Sequence, residues 1–144
     1  MKIKFALCAQ TASVDRASNR VSVFNVYDHF PVSSVPINIP SITFVAAIES
    51  AEDEDTTNFR GIVDVEVNKS KVFEIEVPIT FADHRLARVV LTFQGIPVLK
   101  PGPVTFRLSL PDKTCAEATF QVINVASKES IQLSTPAPTP ATQS

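Results

Sequence analysis

Four consecutive acidic residues, Glu52, Asp53, Glu54 and Asp55, form the densest cluster of potential metal ligands in the chain. They lie in residues 49–57, between two predicted strands, and carboxylates clustered on such a loop can coordinate calcium. The spacing matches no helix–loop–helix calcium motif, and these residues include no glycine for a sharp turn. We therefore favour a solvated loop whose charges keep adjacent strands from pairing with other chains, with a calcium-dependent binding domain using residues 49–55 as the alternative.

Only two histidines, His29 and His84, could serve as catalytic bases or metal ligands. Each follows an aspartate, Asp28 or Asp83, and the four side chains could bind a divalent metal if one end of the fold brought them together. Adjacent residues on a strand point to opposite faces, however, so a neighbouring Asp and His rarely serve one metal. The sequence thus predicts a protein that is not an enzyme and needs no cofactor, and a metal-dependent hydrolase around His84 is the less favoured hypothesis.

The two cysteines, Cys8 and Cys115, are far apart and have no zinc-ligand spacing. Alternation in the first segment puts Cys8 on the face opposite the one shared by Ile3, Phe5, Leu7 and Ala9. Cys115 is likewise out of step with the apolar residues that follow it. We expect two reduced thiols, and a disulfide between them only if their strands are neighbours.

Charge and glycine content exclude several classes of function. Thirteen Lys and Arg against fifteen Asp and Glu give a net charge of −2, which lacks the field needed to hold nucleic acid. Three glycines are too few for either common phosphate-binding loop. The apolar stretch after the first lysines is too short for a secretion signal, and the longest clean apolar run, residues 44–48, is too short to span a membrane. The expectation is a soluble, cytoplasmic protein without nucleic-acid or membrane partners.

The elements that must position these residues are strands. The chain has 18 Val, 11 Ile and 12 Thr against 7 Leu, and this β-branched excess favours half-buried strands over helices. Apolar residues alternate in short segments, with a change of phase that suggests a bulge near Val23. The predicted strands cover residues 2–11, 20–30, 42–48, 63–67, 73–77, 87–93, 104–110 and 118–122.

Two of these predictions are specific. Residues 63–67 and 73–77 flank Asn68-Lys69-Ser70 and form the clearest hairpin. Residues 42–48 have apolar side chains in both phases, which is typical of a central strand covered on both faces.

The Pro-rich segment 31–40 is predicted to be an extended, edge-like strand or a loop along the domain. Val35, Ile37 and Ile39 make it apolar enough that full exposure would invite association. It therefore either meets a partner, which makes these three residues the candidate interaction site, or packs on its own core, which we favour.

Short strands and Pro-rich turns predict one all-β domain over residues 1–125, an antiparallel two-sheet sandwich with seven or eight strands. A closed barrel is the alternative, and the shortage of glycine kinks argues against it. Residues 126–144, rich in Pro, Thr and Ser, are predicted to be a disordered tail.

Two stretches support a resemblance over about residues 1–125: Val21-Ser22-Val23-Phe24-Asn25-Val26-Tyr27-Asp28 before Phe30-Pro31, and Lys100-Pro101-Gly102-Pro103-Val104-Thr105-Phe106-Arg107-Leu108 before Asp112-Lys113 and Phe120-Gln121-Val122. Their order resembles a family of small, uncharacterised bacterial proteins with an immunoglobulin-like sandwich. Val104 stands where that family usually has Tyr, and Lys113 where Gly usually makes the hairpin turn. The resemblance implies a fold and no known activity.

With no catalytic constellation in the sequence, the function we expect is protein interaction. A rigid sandwich offers free strand edges and end loops to a partner. We expect a non-catalytic interaction or assembly module with an unidentified protein partner; the sequence sets no oligomeric state.

Overall fold

The computed structural model describes residues 1–18, 20–51, 59–81 and 85–125. Nine strands form within these ranges, so the prediction of seven or eight was too low. The strands are β1 (Lys2–Val14), β2 (Val21–Val26), β3 (His29–Val32), β4 (Ile37–Glu49), β5 (Phe59–Val67), β6 (Ser70–Ile79), β7 (Leu86–Val98), β8 (Gly102–Ser109) and β9 (Cys115–Asn124). The undercount arises because residues 20–30, expected as one strand, divide at Tyr27 and Asp28, and because β3 forms within the Pro-rich segment.

The strands form two separate sheets, which confirms the all-β, two-sheet prediction over the barrel. The four-stranded sheet has the order β2-β1-β4-β7, and the five-stranded sheet the order β3-β9-β8-β5-β6. Every pairing is antiparallel except β3 with β9, which is parallel. The chain therefore crosses from one sheet to the other between β2 and β3.

The core is built where the two sheets face each other. The ring of Phe106 on β8 lies 5.8 Å from that of Phe44 on β4 and 6.4 Å from that of Phe120 on β9, and all three side chains are fully buried. Valines and isoleucines of both sheets complete this cluster. Since stacked aromatic rings gain energy beyond the area they bury, these phenylalanines hold the sheets in one alignment.

The predicted hairpin is confirmed as β5 and β6. Val67 pairs with Ser70, which leaves a two-residue turn. Asn68 and Lys69 have positive φ angles of 51° and 71°, as a type I′ turn requires. Asn tolerates the left-handed region well, so this turn is encoded locally.

Strand β4 is confirmed as an interior strand, paired with β1 and β7. Partway along both β4 and β7, the side that faces the core changes. The change occurs near Pro40 in β4 and near Gly95, whose φ is 71°, in β7. Ile39 and Ile42 are both fully buried although three positions apart, and the register of the pair stays unchanged. The bend thus keeps both ends of this long strand pair on the core.

Two local predictions are corrected. The register of β1 with β2 is constant from the Val14–Val21 pair to the Ala9–Val26 pair, so there is no bulge near Val23. The backbone irregularity of this segment lies instead at Asn25, whose φ is 58°. Segment 31–40 is also not one edge strand: its first part is the end of β3, and its last part begins β4 and pairs with β7.

Candidate interaction surface

The candidate calcium ligands Glu52, Asp53, Glu54 and Asp55 lie outside the described residues, as do Asp83 and His84. The predicted tail, residues 126–144, lies outside them as well. Of the histidines, His29 is described: it begins β3, and its side chain and that of Asp28 are exposed. Within the described ranges, no three His, Cys, Asp or Glu side chains form a group able to hold a metal ion.

The candidate interaction residues of the Pro-rich segment face inward. Ile39 is fully buried, and its partner across the sheet, Ile96, is buried as well. Val35 and Ile37 are half-buried and pack against the same core. The structure therefore places these side chains on the protein's own core, which was the favoured of the two readings.

Both cysteines are free thiols, Cys8 buried and Cys115 exposed. Cys8 lies opposite Phe44 in the register and belongs to the core cluster. Burial raises the pKa of its thiol from 9.0 to about 12. The strands of the two cysteines belong to different sheets, β1 and β9.

The outer face of the five-stranded sheet is charged. Arg107 on β8 lies between acidic side chains of the two flanking strands: its Nε donates to Glu117 at 2.8 Å, and its Nη1 to Glu66 at 3.2 Å and Asp64 at 3.3 Å. The hydrogen bonds to Glu117 and Glu66 raise the pKa of Arg107. Asp64 is nearly buried, so the guanidinium balances a carboxylate that water reaches poorly.

The outer face of the four-stranded sheet is mainly apolar, although Arg88 lies beside Ala47, and Thr43 and Thr92 lie in the row of Ala9. Pairing places Leu7, Val45 and Val90 in one row across β1, β4 and β7. The adjacent rows contain Phe5 beside Ala47, and Val26 beside Ala9. We call these side chains the apolar face: Phe5, Leu7, Ala9, Val26, Val45, Ala47 and Val90.

Burial shows how closely the apolar face is packed. Ala9, Val45 and Ala47 are at most 2% exposed, yet they lie outside the core cluster between the sheets. The exposed part of this face lies at its margin, where Phe5 is 40% and Val26 52% exposed. This is a second apolar layer, which a solvated sheet face does not need.

The structure corrects one prediction for β1: Ile3 does not share a face with Phe5, Leu7 and Ala9. A register shift between Ile3 and Phe5 turns the strand over. Ile3 pairs with Ile48 and packs on the core, whereas Phe5, Leu7 and Ala9 turn outward and Cys8 turns inward. The alternation identified the side chains that share a face from Phe5 onward, but it did not show which face the second sheet covers.

Strand β2 is the free edge next to this face. Residues 21–27 contain no charge and no proline, and Phe24 and Val26 are 50% and 52% exposed. The other edges are protected: β6 carries Lys71, Glu74 and Pro78, β7 carries Arg88 and Pro97, and β3 has only four residues, one of them Pro31. Charges and prolines on an edge strand prevent pairing with another chain, so β2 is the least protected edge among the described strands.

A pocket of about 490 Å³ lies near the opposite edges, those of β6 and β7. Val67, Val72 and Pro97 line it, together with Leu99, which is 75% exposed. Asn68 on its rim uses its side-chain amide to donate to the Lys100 carbonyl at 3.0 Å, which ties the β5–β6 turn to the segment after β7.

These features define an all-β protein of two packed sheets with one charged and one mainly apolar outer face. The chain belongs to a family of unknown function, DUF6941, whose model matches residues 4–123. No curated protein gives a significant match. No helix in the described part of the chain has the length and apolar character needed to cross a membrane.

Proposed function

We propose that this protein is a non-catalytic interaction or assembly module that binds a protein partner through strand β2 and the adjoining apolar face. The observation that supports this is the contrast between the sheets' outer faces. Arg107 and its carboxylate partners cover one face with charge, whereas the four-stranded sheet exposes the apolar side chains of Phe5, Phe24 and Val26.

The partner we propose supplies an extended, uncharged segment. A free edge strand offers backbone N–H and C=O groups that a new strand can satisfy, and alternate side chains of that strand then meet the neighbouring face. On β2 those groups lie within Val21–Val26, and Val26 connects the edge to Ala9 of the apolar face. An apolar partner segment would cover the exposed side chains of Phe24 and Val26.

Affinity capture from a lysate of the source organism tests this function with matched variants. Phe24→Ser removes an exposed apolar side chain from β2, and Ile62→Ser removes one of similar exposure, 42%, from the charged face. We expect a stoichiometric protein that wild type and Ile62→Ser retain and Phe24→Ser loses. Equal capture by both variants, or no stoichiometric protein with wild type, would refute the proposal.

We further propose that the fold is immunoglobulin-like, and that the protein is bacterial and cytoplasmic. The order β9-β8-β5-β6 supports an immunoglobulin-like fold. In variable-type immunoglobulin sheets, too, the last strand lies beside the strand before it, and that strand lies beside a central hairpin. The family resemblance supports a bacterial source, and the two free thiols fit a reducing compartment. Comparison of the sheet order and packing with immunoglobulin domains tests the fold, and fractionation of source cells tests the location.

A further inference from the structure

We infer that the partner of strand β2 is a second copy of this chain, bound edge to edge in an antiparallel, two-fold arrangement. The inference rests on the proposed function and names its partner. It follows from three properties of the β1–β2 hairpin: its free backbone groups, its uncharged edge and the charges at its two ends.

The first property is the direction of the backbone groups. The Asp15 N–H donates to the Arg20 carbonyl at 2.8 Å, next to the turn. Hydrogen-bonded pairs alternate along an antiparallel ladder, so Ser22 and Phe24 bond back to β1. Val21 and Val23 then direct their N–H and C=O groups away from the sheet. A second strand placed there can accept and donate hydrogen bonds without breaking any that exist.

The second property is that the edge suits a copy of itself. Nothing charged lies between Val21 and Tyr27, so two such edges meet without burying a charge. In a two-fold arrangement each copy also covers the exposed Phe24 and Val26 region of the other. The pairing joins the two four-stranded sheets into one continuous sheet and removes both free β2 edges.

The third property is charge. Arg16 and Arg20 are exposed near the tip of the hairpin together with Asp15, which leaves the tip net positive, and Asp28 is exposed at its base, directly after β2. Antiparallel pairing sets the tip of one hairpin beside the base of the other, so arginine approaches aspartate at both ends of the interface. Parallel pairing would set arginine beside arginine. The charges thus favour the two-fold arrangement.

The test is the mass of the full chain in solution, measured under reducing conditions by sedimentation velocity over a range of concentrations. The reducing agent excludes a disulfide through the exposed Cys115. We expect a reversible dimer. Ser22→Lys, at an exposed side chain of the edge, places like charges at the interface and should shift it to monomer, whereas Ser22→Thr should leave it unchanged.

A charge exchange identifies the arrangement. Arg20→Glu or Asp28→Arg alone should weaken the dimer roughly tenfold, because each removes two symmetry-related attractions, and the double variant should restore it. Circular dichroism checks that each variant is folded. A wild-type monomer at every concentration, a dimer that resists Ser22→Lys, or a double variant no stronger than the singles overturns the inference. A monomer that still captures another protein through Phe24 would leave the proposed function standing and refute only the second copy as partner.

Discussion

The rings of Phe44 and Phe106 stack across the sandwich at a centroid distance of 5.8 Å and an interplanar angle of 14°. Phe44 belongs to β4, an interior strand of the four-stranded sheet, and Phe106 to β8, the central strand of the five-stranded sheet. Both side chains are fully buried. The pair thus joins the two layers at the centre of the core.

Truncating Phe106 should be among the most destabilising single changes. Phe106→Ala leaves a cavity between rings on both sheets, and we expect the free energy of unfolding to fall by about 3–5 kcal/mol. Ile62→Ala, at a 42% exposed site, should cost about 1 kcal/mol or less. Urea unfolding followed by circular dichroism measures both. Similar losses for the two variants would show that the stacked pair is not central to stability.

Removing Arg107 should destabilise the protein through the carboxylates it leaves behind. Arg107→Ala strands Asp64 and Glu66 beside each other with little water around Asp64, and we expect a loss of about 1–3 kcal/mol at neutral pH. Arg107→Lys should restore part of it, since a lysine cannot bridge three carboxylates. Urea unfolding of both variants measures these losses. A loss from Arg107→Lys as large as that from Arg107→Ala would contradict this account.

Gly102 and Gly95 provide a matched pair of glycine substitutions. Gly102 has a φ of 148°, and a Cβ there would overlap the side-chain oxygen of Asn68, whereas Gly95 has a φ of 71° and open space around it. Gly102→Ala should therefore cost about 2 kcal/mol or more, and Gly95→Ala about 1 kcal/mol from backbone strain alone. Thermal unfolding of both variants checks the order; a larger loss at Gly95 would reverse the argument.

Cys8 should make stability fall at alkaline pH. Burial raises the pKa of this thiol from 9.0 to about 12, so above pH 9 the unfolded chain releases a proton that the folded chain keeps. The stability advantage of wild type over Cys8→Ala should be constant below pH 9 and then decline by up to about 1.4 kcal/mol per pH unit as the pH approaches 12. Unfolding at several pH values measures this difference. A thiol reagent should modify only Cys115 in the folded protein; rapid reaction of Cys8 would contradict its burial.

The acidic residues Glu52, Asp53, Glu54 and Asp55 remain a prediction to be tested with calcium. A solvated loop should leave the melting temperature the same in millimolar calcium and in chelator. A calcium site would raise it, because ligand that binds only the folded state stabilises that state. Asn replacement of all four carboxylates is the control: an increase that these replacements abolish would establish the calcium-binding alternative.

Local chemistry made parts of this fold predictable. The turn at Asn68 and Lys69 requires positive φ, which Asn adopts readily. Strand β4 has apolar residues in both phases, which predicts a strand covered on both faces. The orientation of β1 was not predictable, because a shift of one residue between Ile3 and Phe5 exchanges the two faces. The separation of β2 from β3 depends on a partner about ninety residues later, β9, which no local pattern reveals.

The apolar face was not predicted for the same reason: a local pattern does not show which face of a strand the second sheet covers. Alternation showed that Phe5, Leu7 and Ala9 lie together, but a strand with two apolar faces looks the same whichever face the second sheet covers. One signal was available. The absence of charge and proline over residues 21–27 distinguishes β2 from the other edges.

The parallel pairing of β3 with β9 bears on how the protein is made. During synthesis the four-stranded sheet can be completed once residue 98 has left the ribosome, whereas β3 has no partner until residues 115–124 follow. During that interval β8 (Gly102–Ser109) can emerge and supply Phe106 to Phe44, but the core still lacks β9, and β3 has no strand to pair with. Chains interrupted before Cys115 would therefore present an uncovered apolar layer to chaperones and proteases. The last strand to emerge closes the core for the whole domain.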